Sequence, residues 1–290
     1  MENLRGATFM VLAMLGFAIE DMLIKFLAVE LPVGQIIGML GLGSAVLVGL
    51  LLMLQGQALF TRAMLTPVIA LRAFGELVGT LGFVTAIALT PLSSASAILQ
   101  ATPLFVTLGA ALFLQEKVGW RRWSAIIVGF FGVLLIIRPG MEAFDWLSLF
   151  ALQGVIGLGI RDLATRRVPQ ETSSLQLSFL AFLVLIPSAA LLMWINGSAL
   201  VTVSTANWVY LIIALLIGIV AYYLIVVAMR IGEVSFVTPF RYSRIIFALV
   251  VGIAVFNENP DLWTLTGAFI IVASGLYTLW REGNVRANSA

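Results

Sequence analysis

An all-α membrane protein, ten transmembrane helices arranged as two inverted five-helix repeats, is the fold this sequence predicts. Three observations predict it: a composition too apolar for water, apolar segments of bilayer length divided by turn residues, and a polar pattern that returns about 141 residues later. Of 290 residues, 61% are hydrophobic and 10% charged, whereas a soluble domain carries about 25% charged residues. A mean hydropathy of +1.10 excludes a disordered chain. The absence of cysteine and histidine removes disulfides, thiolate metal centres, thiol nucleophiles and the usual proton shuttle near neutral pH. No cofactor or metal is expected, and ionisable chemistry falls to carboxylates, Lys, Arg and Tyr. The net charge of +2 fits the orientation bias of membrane chains, so nucleic acid is not expected as a partner.

A hydrocarbon core about 30 Å thick takes roughly 20 apolar residues in a helix. The first such segment, 7–28, follows Arg5 and carries Glu20, Asp21 and Lys25 near its end; it is too long for the core of a signal peptide and reads as an uncleaved span. Leu31-Pro32 separates it from 33–54, and Gln55-Gly56-Gln57 closes that second span. The third, 68–89, stops at Thr90-Pro91, and the fourth, 92–114, runs to Gln115-Glu116-Lys117. A fifth, 120–138, ends in Arg138-Pro139-Gly140, which divides the chain into repeats at 1–140 and 141–290. The sixth and seventh, 146–165 and 174–195, precede the turn Asn196-Gly197-Ser198. An eighth, 207–229, stops at Arg230-Ile231-Gly232; the ninth, 233–256, stops at Asn257-Glu258-Asn259-Pro260; the tenth is 262–280. Trp120, Trp123, Trp146, Trp194, Trp208, Trp263 and Trp280 fall near these ends, as interface anchors do.

With the N-terminus cytoplasmic, the inner loops collect Arg5, Arg62, Lys117, Arg121, Arg122, Arg166, Arg167, Arg230, Arg281 and Arg286, and the outer loops only Arg138. Short-loop Lys and Arg set orientation, so both termini are expected inside. Gly16, Asp21 and Lys25 of the first span recur as Gly157, Asp162 and Arg166 of the sixth, each displaced by 141; Leu114-Gln115-Glu116 matches Phe256-Asn257-Glu258, displaced by 142. Five spans per repeat is odd, so the second copy enters the membrane from the opposite side, an architecture typical of alternating-access carriers.

These residues resemble the drug/metabolite transporter superfamily, and within it the ten-span EamA-type transporters. The resemblance covers nearly the whole chain. It is most specific at the ends of the halves: Thr102-Pro103-Leu104-Phe105 leading to Phe113-Leu114-Gln115-Glu116-Lys117, then Thr238-Pro239-Phe240 and Ser243-Arg244 ahead of Asn257-Glu258. The second copy departs from the pattern, since no basic residue follows Glu258. Phe17-Ala18-Ile19-Glu20-Asp21 with Leu31-Pro32-Val33-Gly34-Gln35 is similar to the bacterial riboflavin-uptake branch. The resemblance implies a pseudo-twofold bundle around a central substrate cavity, and substrates among amino acids, vitamins, nucleotide-like metabolites and drugs.

Glu20, Asp21, Lys25, Arg72, Glu76, Arg161, Asp162, Arg241 and Arg244 lie inside or near the ends of spans. A charge at a helix centre costs roughly 3 kcal/mol or more, so each requires a partner or a wet cavity. Asp21 with Lys25, Arg72 with Glu76, and Asp162 with Arg166 are four apart on one helix face, where local ion pairing is available. Arg241 and Arg244 have no acid on their own helix between Glu233 and Glu258. Two readings stay open for them: an anion or carbonyl site for substrate, or a network with Glu76 or Glu20. Tyr222, Tyr223, Phe236, Phe240, Tyr242 and Phe74 are candidates for stacking a planar ring, or for plain packing. Pro103 and Pro239 interrupt spans four and nine and are hinge or cavity candidates. Glu116 and Glu258 are expected at helix ends, capping backbone groups or closing a gate. The small-residue runs Gly38 to Ser44 and Gly154 to Gly159 suit close helix approach.

The expected function is secondary transport of a small polar organic metabolite, such as a vitamin, amino acid or organic anion, across a bacterial inner membrane. Substrate-binding candidates are Arg72, Glu76, Tyr223, Phe240, Arg241, Tyr242 and Arg244; coupling or gating candidates are Glu20, Asp21, Lys25, Pro103, Asp162 and Pro239. Burial raises the pKa of a carboxyl group, which makes protons the candidate coupling ion through Asp21 or Glu76. The working unit is expected to be a monomer or homodimer. Export by the same fold, a flippase-type subunit and an intramembrane lipid enzyme are the alternatives. The enzyme lacks any Ser-Lys or paired-Asp constellation to support it, so no catalytic residue is expected.

Overall fold

Turn residues and charges divide the chain where the sequence predicts, and one apolar segment divides further. The computed structural model describes residues 2–113, 119–141, 144–165, 167–169, 171–231 and 237–287, with the backbone alone for 121, 122, 226, 229–231, 238, 239 and 278–287. Gln115, Glu116, Lys117, Arg166, Glu233 and Phe236 lie outside the described residues, as do the side chains of Pro239 and Trp280. The α-helices are α1 Glu2–Leu27, α2 Val33–Leu54, α3 Pro67–Leu89, α4 Leu92–Leu99, α5 Thr102–Phe113, α6 Trp120–Ile137, α7 Ser148–Thr165, α8 Ser174–Asn196, α9 Thr205–Ile231, α10 Ser243–Phe256 and α11 Leu262–Ala287. Counting α4 with α5, these make ten helical stretches among the described residues, of which six are long and apolar enough to cross a membrane.

Two of the predicted spans are corrected. The fourth is not one helix: it breaks at Gln100 and Ala101. Pro103 has no amide hydrogen for the Leu99 carbonyl, and its ring crowds that oxygen. The Thr102 hydroxyl donates to Leu99 O instead, at 2.6 Å. Pro103 therefore sits in the first turn of α5, where its missing amide is harmless, and the interruption lies just ahead of it. Pro239 has a different setting, within a 3-10 turn at Thr238–Tyr242 that precedes α10. The described helical part of the ninth span is correspondingly shorter than 233–256.

The helices pair antiparallel, α1 with α9, α2 with α8, α3 with α7 and α6 with α11. At the α3–α7 contact the backbones themselves meet: Gly75, Gly79 and Gly82 face Arg161, Leu158 and Gly154, with Gly157 against Gly79. The predicted run from Gly154 to Gly159 is thus the packing face of α7. A continuous core runs through the centre, where α4 is buried along nearly its whole length, and Leu12, Val46, Leu50, Phe131, Leu216 and Phe269 face outward. Trp120, Trp146, Trp194, Trp208 and Trp263 are exposed near helix ends.

Outside the spans, Arg138 ends α6 in the left-handed conformation (φ 53°) and pairs with Asp261. Asp261 also accepts the Thr264 amide at 2.8 Å, capping α11. Burial works against the Asp261 charge, yet the Thr264 amide and the Arg138 guanidinium hold its carboxyl below the ordinary aspartate range. A lowered folded value contributes stability above the unfolded value, and that contribution disappears as pH falls through the folded one. Asp261→Asn should therefore narrow the loss of thermal stability on acidification below about pH 4. Melting curves of wild type and variant that fall in parallel would show that the cap carries no such dependence.

Candidate functional site

Between the paired helices, charged side chains form a ladder along the bundle axis. The C-terminal ends of α1, α3 and α10 share one end of it. There Lys25 Nζ donates to Thr90 O at 2.5 Å and lies 3.5 Å from Glu258 Oε1. Glu258 accepts from the amides of Leu92 and Ser93 (2.6 and 3.0 Å) and from the Ser93 hydroxyl (2.7 Å), so it caps α4. The capping role considered for Glu258 is therefore its geometry here.

One turn inward, Arg244 donates to Asp21 Oδ2 from Nη2 at 2.7 Å and from Nε at 3.3 Å. Phe17 and Phe83 flank that guanidinium, with ring centroids 5.2 and 5.0 Å away. Arg241 follows, its Nη2 3.9 Å from Asp162 Oδ2. Asp162 Oδ1 also accepts from Arg161 Nη2 (2.8 Å) and Nε (2.9 Å), and Arg161 Nη1 reaches Glu76 Oε1 at 3.3 Å. At the far end Arg72 donates to Thr165 Oγ1 at 3.1 Å and to the Tyr222 hydroxyl at 3.2 Å. Gln100, at the break between α4 and α5, donates to Arg241 O at 3.2 Å and so joins the two interrupted stretches.

Two of the i,i+4 pairings that the spacing offers are passed over among the described residues, and the third, Asp162 with Arg166, involves a residue outside them. Asp21 takes Arg244 rather than Lys25, Glu76 takes Arg161 rather than Arg72, and Arg72 takes hydroxyl groups. Arg241 and Arg244 meet internal carboxylates, the network reading, but the partners are Asp162 and Asp21 instead of Glu76 and Glu20. Glu20 makes no hydrogen bond or ion pair with a described residue; its carboxylate lies against Gly218, Oε1 being 2.5 Å from where a Cβ would stand. Glu76 Oε2 is buried and likewise unbonded to any described residue.

Three predicted aromatic ligands stand apart from the ladder. Tyr242 is buried with its hydroxyl against Gly275 of α11, Phe240 joins Leu4, Ala7, Thr8, Val11 and Leu12 in a shallow groove on the outside of α1, and Tyr223 is 61% exposed. Outside the substrate-binding and gating candidates, the ladder also contains Gln100, Arg161, Thr165, Tyr222 and Glu258. The repeat held a signal for two of them: at a displacement of 141, Gln100 corresponds to Arg241 and Glu20 to Arg161.

Most rungs share one property. Lys25–Glu258, Asp21–Arg244, Glu76–Arg161, Arg72–Thr165, Arg72–Tyr222 and Gln100–Arg241 each join a residue of the first half of the chain to one of the second. Apolar helices of bilayer length that enclose such cross-linked charges are those of a polytopic membrane protein. The EamA-like transporter model matches residues 4–138 and again 145–280, and the chain belongs to that family, within the drug/metabolite transporter superfamily. Membership places the chain in a family of transporters.

Among curated relatives, an S-adenosylmethionine uptake transporter of Rickettsia bellii is 26% identical over 200 residues; the match covers 68% of this chain and 66% of that protein, just under two thirds of its length. A riboflavin transporter of Vibrio cholerae is 29% identical over 224 residues, 74% of this chain and 72% of the relative. A pseudopaline exporter of Pseudomonas aeruginosa is 26% identical over 277 residues, 93% and 94% of the two chains. A solved crystal structure of a protein described in no further terms superposes with a TM-score of 0.56 over 91% of this chain and 94% of its own, at 17% identity, and so shares the fold.

Proposed function

We propose that the chain is a secondary transporter of the bacterial inner membrane, both termini cytoplasmic, in which two inverted halves, 1–140 and 141–290, rock about the ladder of charges. The observation that carries this reading is that the ladder's contacts cross from one half to the other. A relative movement of the halves would exchange those partners, and a substrate that displaces a carboxylate from Arg241 would supply the differential affinity such a movement needs. Two further features support the inverted repeat. The family model matches each half separately. Under the 141-residue displacement α1–α9 exchanges with α7–α3, while α2–α8 and α6–α11 map onto themselves.

The substrate is a small polar organic metabolite. Because the arginine pair already faces Asp21 and Asp162, a molecule carrying both signs of charge, or several neutral hydrogen-bonding groups, suits the ladder better than a simple anion. S-adenosylmethionine, the cargo named for the Rickettsia relatives, is of the first kind, and riboflavin, named for the Vibrio relative, of the second.

The test is the melting temperature of the detergent-purified chain with S-adenosylmethionine, riboflavin, amino acids, nucleotides and organic acids, repeated for Arg241→Gln. A ligand of the folded state raises the midpoint by linkage, about 2.7 kcal/mol at 100 times its dissociation constant. One class should shift wild type and lose that shift in the variant. Flux of the same compound into proteoliposomes, with and without an imposed pH gradient, tests proton coupling at Asp21 and Glu76. No shift and no flux for any compound would overturn the assignment, and flux indifferent to the gradient would remove the proton.

A further inference from the structure

The Glu258 end of the ladder is closed by a cluster of side-chain-to-backbone bonds, whereas a rung further along it stands looser. At the Glu258 end, three separate segments converge: the last turn of α1, the junction of α3 with α4, and the loop between α10 and α11. Glu258 gathers three hydrogen bonds there, Lys25 is bonded to Thr90 O, and both side chains are largely buried, 10% and 18% exposed for Glu258 and Lys25. Phe26 and Phe256 roof them, with ring centroids 5.0 Å apart, Tyr210 stacks on Phe26 at 5.9 Å, and the Lys25 ammonium lies 5.3 Å from the Phe256 ring centroid. Towards the other end, Arg241 and Asp162 stand 3.9 Å apart and are 28% and 24% exposed.

We infer that Lys25 and Glu258 are the gate at their end of the carrier, and that the structure is the state closed there. The inference rests on the transport reading above and assigns that reading's closing contact. The chemistry of the contact suits repeated opening. Glu258 satisfies the free amides at the start of α4, and Lys25 satisfies carbonyls at the end of α3, the two dipole ends of the junction. Water replaces both sets of partners when the segments part, so protein hydrogen bonds are exchanged for solvent ones at small net cost. The backbone-to-backbone contact of α3 with α7 has no such substitute and stays closed. α4 is separated from α5 by the break at Gln100 and Ala101, which lets this short helix turn as a unit when its cap is released.

The chain has no cysteine, so single cysteines report access directly. Ser96→Cys places one on α4, one turn inward of the capped amides, at a position that is fully buried. Thr165→Cys places a second at the exposed far end. Both are labelled in oriented proteoliposomes with a membrane-impermeant maleimide applied from the matching side, alone and combined with Glu258→Gln or Lys25→Met. The gate requires labelling at 96 to rise at least about tenfold in either variant, as the population shifts to the open state. Alternating access further requires labelling at 165 to fall. A rise at 96 with no change at 165 keeps the gate and sinks the rocking halves. Unchanged labelling at 96, or equal rises at both sites with a lowered melting temperature, would make Glu258 a fixed structural cap and overturn the proposal.

Discussion

Arg244→Gln should destabilise the protein by about 3–5 kcal/mol, because it strands a buried aspartate. Asp21 is 3% exposed, and the hydrogen bonds it accepts from described residues both come from the Arg244 guanidinium, which is itself sandwiched between Phe17 and Phe83. Glutamine keeps some of the bulk but removes the charge, and the carboxylate must then stay charged without a partner or take up a proton. The companion experiment is Asp21→Asn with Arg244→Gln. Removing both charges abolishes the stranded group, so the double variant should recover most of the loss, a non-additivity expected of directly coupled residues. Reversible unfolding in mixed micelles measures all three. Equal losses that simply add would mean that Asp21 and Arg244 act separately and that the ladder is not a network.

An effect of similar size is expected from Gly157→Leu. A Cβ there would overlap the Gly79 backbone, and backbone atoms in the middle of a packed helix have nowhere to go. α3 and α7 would be forced apart along the contact that also seats Glu76 against Arg161. The loss should exceed about 3 kcal/mol and leave little monodisperse protein in size-exclusion chromatography. Gly119→Ala is the control, since a Cβ at Gly119 meets nothing within 4 Å. Wild-type behaviour of the leucine variant would show that α3 and α7 are not locked together.

Helix boundaries were legible because turn chemistry is local. Val33–Leu54 falls where the prediction put it, between Pro32 and Gln55, and Trp120–Ile137 ends one residue from it. The break at Gln100 was less so: Pro103 marked the neighbourhood, but the Thr102 hydroxyl that lets the chain stop there acts through a bond only coordinates display. Burial of Asp21, Arg72 and Glu76 was also legible, since charges in apolar segments have few alternatives. Their partners were not. Spacing along one helix offers Lys25 to Asp21, but Arg244, 223 residues away, is the one that reaches it. Tyr242 and Phe240 show the same limit for aromatics. In helices that are apolar on every side the pattern does not reveal which face looks inward, and the gap left by Gly275 is what draws Tyr242 away from the ladder.

The crossing of ion pairs between halves has a consequence for how the protein is made. Synthesis delivers Asp21, Lys25, Arg72 and Glu76 to the membrane well before α7 and α10 exist. Throughout that interval these charges can offset one another only along their own helices, Asp21 with Lys25 and Arg72 with Glu76, while their partners in the folded bundle are still untranslated. Biogenesis must therefore keep α1 and α3 next to water or the insertion machinery until the second half arrives. The late arrival of Arg161, Arg244 and Glu258 is then the moment at which the bundle can leave that shelter for lipid.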